Sequence, residues 1–156
     1  MARQSCFFIG HRDAGAGVYP LLQREVERHI SELGVHDFFV GHYGAFDSMA
    51  ARVVIEAKER HPDVRLTMLL PYHPAVRPVK IPSGFDGSYY PEGQETVPRR
   101  LAIVRANAHM IRTTDYLIAY VTHPSSGSRE VLESALKRQK RGLITVTNLS
   151  GWDPEI

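Results

Sequence analysis

Five short apolar runs, each separated from the next by a segment with helical spacing, constrain the fold of this chain more than any other feature. The runs are nearly continuous rather than alternating, which is typical of strands buried on both faces of a parallel sheet. This order predicts one α/β domain with a Rossmann-like doubly wound parallel sheet of five strands, order 3-2-1-4-5, and helices on both faces. The runs cover residues 6–9, 38–40, 66–70, 116–121 and 143–146.

Size, charge and cysteine content narrow the class of protein. With 156 residues and 43% hydrophobic residues, the chain can form one domain, expected over 1–150, followed by a tail over 151–156. The net charge of +2 is spread along the chain, so nucleic acid is not an expected partner. Cys6 is the only cysteine, and no run of about 18 apolar residues occurs, which predicts a cytoplasmic protein without disulfides or membrane contact.

The first polar loop is "GHRD", which follows the first apolar run. The predicted strand order places the loops that open at Gly10, Gly41 and Thr122 together at the edge where such sheets bind ligands. Gly10 allows the chain to turn, and the Arg12 guanidinium suits a phosphate or a carboxylate, although a salt bridge to Asp13 is an alternative. The following "AGAG" does not complete a dinucleotide-binding fingerprint, so no cofactor is expected.

The second loop, "GHYGAFD", leads into the second predicted helix. Gly41 and Gly44 bracket a turn, and a glycine-flanked turn into a helix exposes amide donors that can bind an anion. Asp47 falls in the first turn of that helix. Its carboxylate either caps the helix or accepts hydrogen bonds from ligand hydroxyl groups, and the sequence leaves both readings open.

The third loop, "THPSSGSRE", follows the fourth apolar run. Ser126, Gly127 and Ser128 supply hydroxyl groups and backbone amides at the start of a helix. This combination favours a phosphate-binding loop, with simple helix capping as the alternative.

The connection over 71–97 is unusually long and contains five prolines. Connections of more than about 12–15 residues are uncommon and are often functional. The sequence therefore suggests a lid over the ligand-binding edge, and a rigid packed excursion is the alternative.

The three loops together resemble a known superfamily. "FFIGHRD", "GHYGAFDSMAARVV" and "RANAHMIRTTDYLIAYVTHPSSGSREVLESALKR" are similar to SLOG proteins, a Rossmann-like group that includes the Smf and Lonely-guy proteins, and are nearest to its YpsA-like branch. The resemblance implies a nucleotide or nucleotide-derived ligand and makes a homo-oligomer plausible. The residues that match the family's binding motifs are Gly10, His11, Arg12, Gly41, Gly44, Asp47, Arg105, Asn107, Ser126, Gly127 and Ser128.

One departure from the family bears on catalysis. Where the phosphoribohydrolase branch has a catalytic glutamate, this chain has Val131, and Glu130 and Glu133 are out of register. This favours a sensor or ligand-binding protein. The alternative is an enzyme that cleaves or transfers an N-glycosidic bond, with Glu92 or Glu95 on the connection as acid or nucleophile.

Histidines suggest a different class of function, a metal site. His11, His42, His73 and His123 each follow a predicted strand within a few residues and should lie at one edge of the sheet. A zinc or iron site needs three or four converging ligands. The predicted strand order separates His73 from His11, so hydrogen-bonding roles are favoured over a metal site.

Overall fold

The structure is a computed structural model that describes residues 3–122 and 127–153. Strands and helices alternate along most of this length, as the apolar pattern predicts. The strands are β1 (Gln4–Gly10), β2 (Val35–Val40), β3 (Arg65–Leu69), β4 (Gly87–Tyr89), β5 (Tyr116–Tyr120) and β6 (Thr145–Asn148). The α-helices are α1 (Val18–Ser31), α2 (Ala45–Ala57), α3 (Ala102–Thr113) and α4 (Gly127–Lys140), and short 3-10 helices cover Gln94–Thr96 and Arg99–Leu101.

The strands form one parallel sheet in the order β4-β3-β2-β1-β5-β6. The five predicted strands are present in the predicted relative order, but the prediction of five strands is wrong. The sixth strand, β4, lies inside the long connection and pairs with β3 at the edge of the sheet. Its three half-buried or exposed residues form no apolar run, so the pattern that identifies buried strands does not apply to it.

Helices cover both faces of the sheet because successive strand side chains point to opposite sides. Phe8 lies in a cluster with buried side chains of α1 and α2, such as Val26. Phe7, the preceding residue, lies in a second cluster with buried side chains of α3 and α4, such as Met110. The third helix begins at Ala102, directly after the 3-10 turn Arg99–Leu101. Within the described residues, no helix is both long and apolar enough to cross a bilayer.

The second half of the long connection is fastened to the body of the protein. The Asp86 carboxylate accepts hydrogen bonds from Lys58 Nζ at 2.6 Å and from the Leu66 backbone N–H at 2.8 Å. Buried Gln94 donates from Nε2 to the Ala102 carbonyl oxygen at 2.6 Å, which holds the end of the connection against α3. Most side chains over 72–83 are exposed. The lid therefore stays a prediction, and it applies to the first half of the connection alone.

Replacing Asp86 with Ala is expected to lower the free energy of unfolding by about 1–2 kcal/mol, because two hydrogen bonds to one charged group are lost. Urea denaturation measures the loss, and amide hydrogen exchange at Gly87–Tyr89 should accelerate because β4 depends on this anchor. Glu59→Gln, an exposed change just after α2, is the matched control. Unchanged exchange in β4 would show that Asp86 does not hold the connection in place.

Candidate functional site

A crevice of about 760 Å³ opens at the carboxyl edge of the sheet, beside β1. It is lined by the end of β1, the loop after it, the start of α2, one face of α3 and the first turns of α4. This is the position at which doubly wound sheets bind ligands, where the chain changes direction between β1 and β5. The predicted site residues that line it are Gly10, His11, Arg12 and Gly41, and also Asp47, Asn107 and Ser128.

Other predicted residues lie elsewhere. Gly44 packs against Arg12 behind the crevice wall. Arg105 is exposed on α3 and is not among the residues that line the crevice. Glu92 and Glu95 are exposed on the connection and do not line the crevice either. Gly127 is the first residue of α4, and Ser126 lies outside the described residues.

Two glycines allow the first loop to pack tightly against the start of α2. A Cβ atom on Gly10 would lie 2.3 Å from the ring of buried Phe46, so a side chain at position 10 would displace that ring. The Ala45 backbone N–H donates to the Arg12 carbonyl oxygen at 2.8 Å, at a point where a Cβ on Gly44 would lie 2.6 Å from the Arg12 Cα. These contacts give Gly10 and Gly44 a packing role that is independent of any ligand.

His11 and Ser128 join the first loop to the third. Nε2 of buried His11 accepts a hydrogen bond from the Thr122 backbone N–H at 2.9 Å, and its ring meets Tyr120 edge-on at 5.9 Å between centroids. The Ser128 hydroxyl donates to the Gly10 carbonyl oxygen at 3.2 Å. The loop after β1 is thus tied to both described ends of the loop after β5.

Asp47 is the most perturbed carboxyl group at the crevice. Its Oδ2 atom accepts a hydrogen bond from the Tyr43 backbone N–H at 3.1 Å. Burial raises the pKa of this carboxyl to about 6, while the Tyr43 N–H and the positive charge of Arg12 act in the opposite direction. Part of the Asp47 population is therefore protonated near neutral pH.

Arginine side chains supply positive charge to the crevice, two of them in its lining. Arg12 and Arg100 line it, and both are exposed. The Arg12 guanidinium lies 5.9 Å from the centroid of the Tyr43 ring. Arg77, on the exposed half of the connection, stacks 4.0 Å over the Tyr72 ring. The two guanidinium groups in the lining suit the crevice to an anion.

Apolar side chains from α3 and α4 form one wall of the crevice. Ile103 and Val104 on α3 and Val131 on α4 line it, and Val104 is 52% exposed, which is unusual for a large apolar side chain. Arg100, Ile103 and Val104 are additional to the site residues that the sequence predicts, and the Glu130 carboxylate also lines the crevice although it is out of register with the family glutamate. The helical pattern identifies buried residues, whereas these residues lie next to the buried stripe, so no sequence signal marked them.

The histidines of the metal hypothesis have separate surroundings. The His42 ring packs 4.2 Å from the Tyr43 ring, and burial lowers the pKa of His42. Nδ1 of exposed His73 accepts a hydrogen bond from the Ala75 backbone N–H at 3.0 Å. His123 lies outside the described residues. In the part of the chain that is described, no three His, Cys, Asp or Glu side chains come close enough together to hold a metal ion.

Comparisons with known proteins show the fold. No family model matches the chain, and no curated protein matches it in sequence. The DNA processing protein A (DprA) of Streptococcus pneumoniae has a similar structure, with a TM-score of 0.59 and 13% identity over 97% of this chain. This chain spans only 62% of the length of that one.

The Moco carrier protein of Chlamydomonas reinhardtii is also similar, with a TM-score of 0.58 and 15% identity over 96% of this chain and 93% of that chain. At these identities the likeness concerns the fold and not the ligand. Together the two neighbours show a Rossmann-like fold for this chain, and its resemblance to SLOG proteins and to their YpsA-like branch stays a prediction.

Proposed function

We propose that the crevice binds a nucleotide or a nucleotide-derived phosphorylated small molecule, and that the protein acts as a ligand-binding protein or sensor. The observation that carries this proposal is that arginine and apolar side chains line the same crevice. Its volume of about 760 Å³ lies within the range of small-molecule sites, roughly 300–1,000 Å³. A nucleotide combines the matching groups, an anionic phosphate and a largely apolar aromatic base.

The two lining arginines support a phosphate group as the anion. Arg12 and Arg100 come from different elements of the chain, and both guanidinium groups are available to an anion in the crevice. The first turn of α4 adds the partial positive charge of a helix N-terminus, with Ser128 at the crevice. Phosphate recognition commonly combines these kinds of donor.

The apolar wall supports a planar base. The side chains of Ile103, Val104 and Val131 line the crevice, and a base that covered them would remove apolar surface from water. Asn107 lies on the same helix as the first two and offers both a donor and an acceptor to the edge of a base. These groups suit a nucleobase, but they do not select one base over another.

The names of the structural neighbours support binding of a small molecule more than binding of DNA. The neighbour that this chain matches along 93% of its length is named as a carrier of Moco, and the one that it matches along 62% is named for DNA processing. The near-balanced charge of this chain does not favour nucleic acid. Moco therefore belongs in a ligand panel beside the nucleotides.

We further propose that turnover is slow or absent. Val131 stands where the phosphoribohydrolase motif has its glutamate, and Glu92 and Glu95 do not line the crevice. Glu130 does line it and is the carboxylate to test if turnover is found. If the protein releases free base from a nucleotide and Glu130→Gln abolishes this activity, the sensor hypothesis is wrong. The protein would then be an N-glycosidase, which is the enzyme alternative.

Binding of mono-, di- and cyclic nucleotides, measured by calorimetry, is expected to weaken about tenfold in Arg100→Ala because a charge-assisted contact to phosphate is lost. Arg12→Ala should weaken binding to a similar extent. Arg99→Ala is the matched control, since Arg99 is an exposed neighbour that does not line the crevice. The proposal is wrong if nucleosides without phosphate bind as tightly as nucleotides, or if the Arg99 and Arg100 variants behave alike.

The remaining expectations concern assembly and location. The resemblance to SLOG proteins makes us expect a homo-oligomer, and the cysteine content and apolar pattern of the sequence make us expect a cytoplasmic location. Light scattering at micromolar concentration tests the oligomeric state, and a monomer would contradict that expectation without affecting the ligand proposal.

A further inference from the structure

One carboxylate oxygen of Asp47 accepts a hydrogen bond from the protein, and the other can accept one from a ligand in the crevice. Oδ2 accepts the Tyr43 backbone N–H, whereas Oδ1 has no hydrogen-bond partner in the part of the chain that the structure describes. Asp47 is half-buried and lines the crevice. An ionised carboxylate oxygen can only accept hydrogen bonds, so the group that completes this site must be a donor.

The surroundings fix the position of this carboxylate. Asp47 is the third residue of α2, and its bond to Tyr43 reaches back over the turn that precedes the helix. A Cβ atom on Gly41 would lie 2.9 Å from Asp47 Oδ2, so the glycine leaves room for the carboxylate in this position. The site is therefore shaped before any ligand arrives.

Helix capping alone does not explain the choice of an aspartate. Asn or Ser would satisfy the same backbone N–H without placing a charge in a partly buried position, which is unfavourable. Arg12 lies near enough to influence Asp47, yet no ion pair joins the two side chains among the described residues. A donor on a ligand would offset the unfavourable burial of the charge.

The placement of Asp47 indicates which part of a nucleotide supplies that donor. A phosphate is an anion and would be repelled, and the apolar wall suited to a base is on α3 and α4 rather than on α2. The strands β2 and β5 flank β1, so the starts of α2 and α4, which follow these strands, both border the crevice at the end of β1. A sugar bound at Asp47 would then lie beside a phosphate held by Arg12 and α4.

We propose that Asp47 accepts hydrogen bonds from the 2′- and 3′-hydroxyl groups of a ribose, so that the crevice selects ribonucleotides over 2′-deoxyribonucleotides. The inference rests on the proposed function, because it assigns the sugar contact of the same ligand. A 2′-deoxyribonucleotide lacks one of the two donors and leaves a partly buried acceptor unsatisfied.

The test compares ribonucleoside 5′-monophosphates with their 2′-deoxy counterparts by calorimetry, using adenine, guanine, cytosine and uracil as bases. The wild type is expected to bind the ribo form of its preferred base about tenfold more tightly than the deoxy form. In Asp47→Asn this ratio should fall towards one, because the amide keeps its oxygen for the Tyr43 N–H and offers the sugar hydroxyl groups only a neutral NH2 group, a weaker partner than a carboxylate. Glu59→Gln removes an exposed charge just after α2, outside the crevice lining, and should leave the ratio unchanged.

The ratio of ribonucleotide to deoxyribonucleotide affinity tests the ribose contact separately from nucleotide binding as such. A folding defect affects both affinities equally, since both ligands are measured on the same protein. Equal binding of both sugar forms to the wild type would overturn the role of Asp47 and leave nucleotide binding intact. A preference for ribose that survives Asp47→Asn would also overturn it, because another group would then bind the hydroxyls. If no monophosphate of either kind binds, the proposed function and the ribose contact both fail.

Discussion

The Asp47→Asn protein is expected to be more stable than the wild type at pH 7, by up to about 3 kcal/mol. The pKa of this carboxyl is about 6 in the folded protein and 3.8 ordinarily, a difference of about 2.2, and each pKa unit corresponds to about 1.36 kcal/mol. The folded state binds this proton more tightly than the unfolded state. The contribution of the protonated Asp47 carboxyl to the free energy of unfolding is therefore fully present below pH about 4 and is lost as the pH rises through about 6.

Asparagine avoids this loss because it does not ionise, and its oxygen can still accept the Tyr43 N–H. Urea denaturation from pH 4 to pH 7 measures the effect, and the difference between variant and wild type should grow across that range. Ser48→Ala, at the exposed neighbouring position, is the control, and its difference from wild type should stay constant with pH.

A less stable Asp47→Asn protein at pH 7 would mean that the charge supports the fold as a helix cap. A more stable protein that binds ribonucleotides less well would instead identify Asp47 as a residue kept for binding at the expense of stability. Such opposition between stability and function is common at binding sites. The stability measurement thus separates the two readings of Asp47 that the sequence leaves open.

Replacing Gly44 with Ala is expected to destabilise the fold by roughly 3 kcal/mol or more. Gly44 has φ 122° and ψ −179°, a conformation that L residues adopt only with strain of about 1–3 kcal/mol. A Cβ there would also lie 2.6 Å from the Arg12 Cα. That atom is backbone, so no side-chain rotation can relieve the clash, which adds roughly 1–3 kcal/mol.

Thermal and urea denaturation measure this loss, and Gly15→Ala provides the comparison. Gly15 belongs to the loop that also carries Arg12, has no positive φ and has no atom within 4 Å of the position that a Cβ would take, so its replacement should change stability by less than about 0.5 kcal/mol. Wild-type stability in Gly44→Ala would show that the first loop does not pack this closely on α2. A folded variant should also bind nucleotides more weakly, because Arg12 would be displaced.

The order of the main strands could be predicted because burial on both faces leaves a direct mark on the sequence. Runs such as 116–121 have no polar residue until they reach the carboxyl edge, apart from tyrosine hydroxyls. Once the order was known, the meeting of the loops after β1, β2 and β5 followed from handedness and connection rules. β4 could not be found in this way, since an edge strand of three residues buries too little to require apolar side chains.

The candidate site also has parts that the sequence predicts and parts that only the tertiary structure shows. Local sequence determined the polar loops, their glycines and the helix starts beside them, because turns and helix ends need particular residues at neighbouring positions. Only the tertiary structure decided that Gly10 makes room for Phe46, that Gly44 makes room for Arg12, and that Arg100 and Val104 complete the crevice. These contacts join residues far apart in the chain, and their distances depend on how the helices pack on the sheet, which no local pattern encodes.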